Sequence, residues 1–259
     1  MSKIKSIFKE LLLFAIKQAN AAIFGGILLC AIIGTKYIST APLYRYDFLF
    51  LVALVTQAIL ITFKIESRKE ILMIALFHIL ATGMELFKTS PNVGSWYYPG
   101  TAYFMLYTVP LFAGFMYSAV GSYIARAWKI FKFKFTNYPK FSYALILAMV
   151  AYANFITHHF FFDLRYILFV ASAIVFWKTK IHFTIIKTPR QMPLLLGFTL
   201  VAIFIWIAEN ISTFTSIWLY PNQTSGWQSV PLGKLGSWYL LIIVSFVLIS
   251  SIYRKTLRK

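Results

Sequence analysis

The sequence predicts an all-α, polytopic membrane protein of eight transmembrane helices, arranged as two parallel four-helix repeats. Three observations predict it. The 259 residues are 60% hydrophobic and only 12% charged, whereas a soluble domain carries roughly 25% charged residues. Long apolar stretches recur along the whole chain. The basic residues that give the net charge of +18 fall between those stretches in an alternating pattern. Such a charge would also suit a nucleic-acid partner, but a soluble binder could not cover this much hydrocarbon. The expected partner is therefore the lipid bilayer, with no nucleic acid. Disorder is excluded, because disordered chains are polar and poor in aromatics, and 19% of this chain is aromatic.

The elements follow in chain order. Residues 1–18 set Ile4, Ile7, Phe8, Leu11 and Leu12 on one helical face with lysines opposite, the pattern of a helix lying in the membrane interface. Lys3, Lys5 and Lys9 before an apolar run resemble a signal peptide, but no A-x-A-like cleavage site follows. The run is read as an uncleaved first span. A crossing helix needs about 20 mostly apolar residues. Eight stretches meet or approach that: 19–38, 47–63, 71–88, 101–124, 141–158, 160–177, 192–212 and 232–253. The first four form one repeat (19–125) and the last four another (141–253). A basic cytoplasmic loop (126–140) joins them, and a basic cytoplasmic tail (254–259) follows. Cys30, the single cysteine, excludes an intrachain disulfide and reads as a small packed residue.

Orientation follows from charge. Only Lys36, Arg45, Lys88, Arg165 and Lys234 fall on one side of this arrangement, and the other twenty basic residues fall opposite. The positive-inside rule makes the twenty-residue side cytoplasmic, with both termini there. Three marks recur in order. Glu85, Trp96-Tyr97-Tyr98-Pro99 and Val109-Pro110-Leu111 are followed by Glu209, Trp218-Leu219-Tyr220-Pro221 and Val230-Pro231-Leu232, at offsets of 124, 122 and 121. Arg45-Tyr46 and Arg165-Tyr166 add a weaker match. Four spans per unit is an even number, so both units enter the membrane in the same sense.

Seven acids leave few places for chemistry. Glu10, Glu66 and Glu70 lie among cytoplasmic lysines and read as solvated or paired. Glu85 and Glu209 lie in apolar helical sequence, where a carboxyl is costly and faces the bundle interior. They are the candidate catalytic pair, since a Glu kept partly neutral by an apolar site can act as a general acid; an interhelical hydrogen bond or a salt bridge to Lys88 or Arg165 is the structural alternative. Trp96, Tyr98, Trp218 and Tyr220 would form an aromatic lid over the pocket, with Asn210 beside Glu209. His78, two turns below Glu85, is its expected buried partner. His158, His159 and Asp163 offer a candidate divalent-metal site, with His159 and Asp163 four residues apart on a shared helical face. A structural pair of Asp163 with Arg165 or His159 is the alternative. No other cofactor is expected, and no Walker, dinucleotide, GxSxG or HExxH motif occurs.

Several of these segments together resemble an uncharacterised bacterial integral-membrane family known as domain of unknown function 817. The matching residues are Phe77-His78, Gly83 through Pro91, Gly94-Ser95-Trp96, Tyr98-Pro99, Val109 through Phe112, His158-His159, Asp163-Leu164-Arg165, Met192-Pro193-Leu194 and Trp206 through Asn210. That resemblance implies location in a bacterial plasma membrane and no particular activity. Glu85, Tyr97, Tyr98 and Val109-Pro110-Leu111 are also distantly similar to carotenoid hydratases of the bisanhydrobacterioruberin type. This second likeness implies acid-catalysed hydration of an isoprenoid. The leading expectation is a membrane-embedded enzyme acting on an isoprenoid or other lipid. A small-solute or proton-coupled transporter and a non-catalytic scaffold are the alternatives.

Overall fold

Residues 2–257 are described in the computed structural model, with the side chains of 2–4 and 255 outside that description. The side chains of Lys3, Ile4 and Lys255, and residues 258 and 259 of the basic tail, therefore lie outside the described residues. Helix α1 (Ser2–Ala21) meets α2 (Ile23–Tyr37) at a bend of 77°. Along α1, Ile7, Phe8, Leu11, Leu12 and Ile16 are all exposed. Phe14 packs on Phe131 and Phe183, with ring centres 5.5 and 6.2 Å away.

The remaining helices are α3 (Arg45–Thr62), α4 (Arg68–Lys88), α5 (Phe112–Ile130), α6 (Phe141–Thr157), α7 (Arg165–Phe176), α8 (Leu194–Phe214) and α9 (Gly233–Ser250). Each of the eight predicted stretches carries one helix. Four of them (α3, α4, α8 and α9) are long and apolar enough to cross a membrane, or five spans if the bent α1–α2 pair counts as one. Helices α6 and α7 have 17 and 12 residues. At a rise of about 1.5 Å per residue, α7 covers about 18 Å of a hydrocarbon core near 30 Å. Helix α5 is the central element and packs on α1, α2, α3, α4 and α9. It buries Ser118, Ser122 and Arg126, because its neighbours are protein and it has little need of an apolar surface.

Helix α8 shows what the outer surface is suited to. Leu196, Leu200, Phe204 and Ile207 form an exposed stripe, while Leu194, Phe198, Ala202 and Glu209 point inward. A polar outward face would be expected in water, and an apolar one belongs against lipid. Cys30 is also on the outside rather than packed.

Two expected boundaries are corrected. The stretch 101–124 does not begin as helix. Asp47 in the first turn of α3 accepts the backbone N–H groups of Tyr103 and Phe104, both at 2.9 Å. The chain there turns through a hairpin of β1 (Met105–Leu106) and β2 (Val109–Pro110), so α5 starts at Phe112. The basic loop 126–140 is partly structured too. Arg126 and Lys129 lie within α5, and Lys134–Thr136 forms β3, which pairs antiparallel with β4 (Lys180–Thr184). Strand β4 in turn pairs with β5 (Pro189–Pro193). This small sheet lies at the end of the bundle that holds most of the basic residues, called here the basic end.

That end is pinned by ion pairs. Helix α4 starts with a capping box between Ser67 and Glu70, and Glu70 also binds Lys129 at 2.9 Å and the Tyr253 hydroxyl. Buried Glu66 takes donors from Gln57 (2.8 Å) and Ser122. Glu10 pairs with Arg190 at 2.6 Å. The core lies between α4, α5, α6, α8 and α9, where Trp128 stacks between Phe246 and Tyr253.

Candidate carboxyl site in an apolar cavity

At the opposite end, α4 and α8 each bring a glutamate near their last turns. Past α4, Gly94 adopts φ +55°, a left-handed conformation that glycine reaches without steric cost. The turn lets Ser95 N–H donate to the Lys88 carbonyl at 2.8 Å and swings Trp96 back over the helix end. Trp96 Nε1 and the Tyr98 hydroxyl then each donate to Glu85 Oε2 at 2.9 Å, and the Tyr117 hydroxyl of α5 donates to Oε1 at 2.6 Å. Past α8, the Tyr220 hydroxyl donates to Glu209 Oε1 at 2.5 Å, and Trp238 Nε1 of α9 donates to Oε2 at 2.7 Å. Both carboxyls are buried, at 2% and 4% exposure. That burial is tolerable because neutral donors satisfy their oxygens.

The two settings interlock. Tyr97 and Leu219 exchange both backbone hydrogen bonds as an antiparallel bridge, at 3.0 and 2.9 Å. They are 122 residues apart, the same offset that relates the two Trp-x-Tyr-Pro segments. Trp96 meets Tyr220 edge-on at 6.2 Å, and Tyr117 lies 6.1 Å from Trp238. Close approach of α4 and α5 rests on Gly114, where a Cβ would sit 2.5 Å from Thr82 Oγ1 and 2.6 Å from the His78 ring.

A cavity of about 1270 Å³ runs beside both carboxyls. Its walls are mostly apolar, from Phe14 and Met192 toward the basic end, past Leu28, Val120, Phe198 and Leu241, to Glu85, Glu209, Trp96, Trp218 and Tyr220. Its polar rim holds Lys88, His158, His159, Arg165 and Lys234.

The expected site residues divide accordingly. Glu85, Glu209, Trp96, Trp218 and Tyr220 share the cavity, and Tyr98 supports it through Glu85. His78 does not reach Glu85. Its Nδ1 meets Ser118 Oγ at 3.0 Å, because two helical turns leave about 10 Å between the residues along the axis. Asn210 faces away from the cavity and acts as a brace, with Nδ2 on the Trp206 carbonyl (2.8 Å) and Oδ1 receiving Val230 N–H (2.9 Å).

The His158–His159–Asp163 set is not brought together. Helix α6 ends at Thr157 and α7 begins at Arg165, so His159 and Asp163 share no helical face. Asp163 pairs with Arg165 at 3.0 Å and takes Asn154 Nδ2 at 3.1 Å. The two imidazoles, 4.2 Å apart, turn Nε2 to the Lys88 ammonium at 3.3 and 2.7 Å. Burial, and then the charge of Lys88, pull His159 down to about 4. No cluster of three or more His, Cys, Asp or Glu suited to a metal ion occurs among the described residues, and a cation at these nitrogens would be repelled by Lys88.

Tyr117, Trp238 and Lys234 are the site residues that sequence reasoning passed over, and Lys88 and Arg165 entered it only as ion-pair partners, not as groups lining a cavity. A signal existed for the first two: Tyr117 and Trp238 follow Val-Pro-Leu at the same spacing, 121 residues apart.

Comparison with known proteins adds kinship without an activity. A family model described as "Protein of unknown function (DUF817)" matches residues 10–246. The uncharacterized protein YoaT of Bacillus subtilis (strain 168) is 40% identical over 244 residues, covering 94% of this chain and 92% of that one. No solved structure matches.

Proposed function

The chain belongs to the DUF817 family, and from that premise we propose that it is a multi-pass enzyme of the bacterial plasma membrane, acting on an isoprenoid or other lipid by carboxylic acid–base chemistry. One observation carries this reading. Two buried carboxyls, each held by its own aromatic donors, line a single long cavity whose other walls are mostly apolar. An apolar chain matches those walls, and a carboxyl pair at one place along it supplies an acid and a base.

Hydration of a carbon–carbon double bond is the reaction that suits these parts. Glu209 accepts two hydrogen bonds against three for Glu85, which leaves Glu209 more room to carry a proton. It would give that proton to one alkene carbon and leave the other cationic beside the Tyr117 and Trp238 rings, whose faces favour positive charge. A water oxygen then bonds to the cationic carbon, and Glu85 takes the proton that water loses. The net change is addition of one water. Return of that proton to Glu209 completes the cycle.

In this reading the eight helices α2–α9 form two equivalent four-helix units, and both termini are cytoplasmic. Support comes from the matched offsets of the Glu, Trp-x-Tyr-Pro and Val-Pro-Leu marks and from the division of twenty basic residues against five. A transporter is the second reading, favoured by the length of the cavity, which extends from Gln18 to Lys234.

The test is native mass spectrometry of the detergent-purified protein, followed by incubation with polyunsaturated isoprenoids in lipid nanodiscs. Wild type should retain a lipid and yield product heavier by one water. Glu85→Gln and Glu209→Gln should retain the lipid and yield none. Equal conversion by both variants would overturn the assignment, and solute flux into sealed vesicles without conversion would favour transport.

A further inference from the structure

We propose that the rim of the cavity beside the two carboxyls is a binding site for a phosphate-bearing headgroup, held by Lys88, Lys234 and Arg165. The inference rests on the reading that a lipid fills the cavity, and it names the class of that lipid. Of the five basic residues outside the basic end, these three line this one cavity. Arg45 is used otherwise, donating to the Thr215 and Ile32 carbonyls at 2.6 and 3.0 Å.

The manner in which the two lysines are held is the strongest argument. Neither has a carboxylate partner among the described residues. Lys88 is 5% exposed, and a buried ammonium without a counter-ion is unfavourable. Its hydrogen-bond partners are His158 and His159. His158 donates Nδ1–H to the Asn154 carbonyl at 2.7 Å, which leaves its Nε2 as an acceptor. An ammonium has three donors, so Lys88 is oriented by two neutral imidazoles and keeps one N–H for the cavity. Lys234 is oriented by aromatic faces instead, 4.3 Å from the centre of the Tyr220 ring and 5.4 Å from that of Trp96.

Arg165 donates to the Gly233 carbonyl at 3.1 Å and to Asp163, with further N–H groups of its five-donor fork remaining. The oxygens of Glu85 and Glu209 are meanwhile engaged by five neutral donors. Positive charge held in place by neutral groups at the mouth of an apolar cavity is complementary to an anion attached to a hydrocarbon chain. Three separate cationic groups match the three oxygens and near-double negative charge of a phosphate monoester better than they match a carboxylate.

Binding of geranylgeranyl phosphate, geranylgeraniol and inorganic phosphate to the full chain in nanodiscs tests this. The phosphate lipid should bind about tenfold or more tightly than the alcohol, since charge-assisted bonds are at stake, and the preference should shrink as salt rises. Lys88→Gln and Lys234→Gln should lose the preference while still binding the alcohol, which shows that they are folded. Lys234→Arg should keep most of it. Equal affinity for phosphate and alcohol would overturn the headgroup site and leave the cavity reading standing. Inorganic phosphate binding as tightly as the phosphate lipid would make this a free-anion site and overturn the lipid assignment. Failure of both lipids to bind would sink the cavity reading itself.

Discussion

Glu85 and Glu209 are near-duplicates held differently, and the difference is more informative than the likeness. Each receives a tyrosine from a Trp-x-Tyr-Pro segment and an aromatic donor from the helix after Val-Pro-Leu, Tyr117 in one case and Trp238 in the other. Trp96 adds a third donor to Glu85, while Trp218 at the matching place gives Glu209 no hydrogen bond. Around them the halves diverge further. At offsets of 124 and 121, His78 and Gly114 correspond to Ala202 and Leu235, and Lys88 corresponds to Ser212. Two sequence-matched segments thus carry carboxyls with unequal hydrogen bonding, and only the first adds a histidine-held lysine. Two identical sites would suit symmetric binding, whereas unequal ones suit an acid and a base.

The largest expected effect tests that inequality directly. Positioned acid–base groups contribute about a hundredfold to ten-thousandfold in rate. Glu209→Gln should lose that in kcat for whichever substrate is converted, and Glu85→Gln should lose a comparable amount. Their pH–rate profiles should differ, because one removes the limb that needs a protonated group and the other the limb that needs an ionised one. Identical residual profiles would mean that the carboxyls act alike, and the comparison would fail.

Packing supplies the next effect. Gly114→Ala would drive a Cβ into His78 and Thr82, and overpacking of this kind costs about 1–3 kcal/mol. At the corresponding place Leu235 is half-buried, so Leu235→Ala should cost less. Thermal unfolding in detergent measures both. A larger loss for Leu235→Ala would show that the α8–α9 contact, rather than α4–α5, limits stability.

How much of this was legible beforehand follows from what kind of information carries each part. Helix positions depend on local apolar runs, and all eight predicted stretches hold helices. The two carboxyls could be found because an acid in an apolar helix is conspicuous, and their aromatic neighbours because Trp-x-Tyr-Pro repeats. Features set by distant contacts were not readable. Asp47 binds backbone 56 and 57 residues away, which turns a predicted helix start into a hairpin. The His pair reads as metal ligands until Lys88, seventy residues distant, is found between the two nitrogens. Helix α5 has polar residues that only its central position explains.

Single hydrogen bonds come third. Tyr117→Phe removes one donor from Glu85 and leaves two. Trp238→Phe removes one of two from Glu209. A net hydrogen bond is worth about 0.5–1.5 kcal/mol, and more to a charged group, so both variants should be destabilised. The loss should be greater for Trp238→Phe, because a buried carboxyl with one remaining donor is less well satisfied than one with two. Equal losses in unfolding would make the donor count irrelevant to how the halves differ.

The smallest effect belongs to the histidine-held lysine, which has no counterpart in the second half. His159 titrates near 6.5 when unfolded and is pulled down to about 4 in the fold, by burial first and then by Lys88. Between those values the unfolded chain binds more protons than the folded one, so stability falls as pH drops through that window. The loss is modest, since His159 is substantially exposed and solvent screens the repulsion. Protonation also removes the Nε2 acceptor and sets a second positive charge against Lys88, so the rim should loosen before the bundle does. His159→Gln keeps a polar side chain without the titration and should flatten the melting curve between about pH 6.5 and 4. An unchanged acid dependence in that variant would assign the effect to groups the two halves share, and the rim would no longer distinguish them.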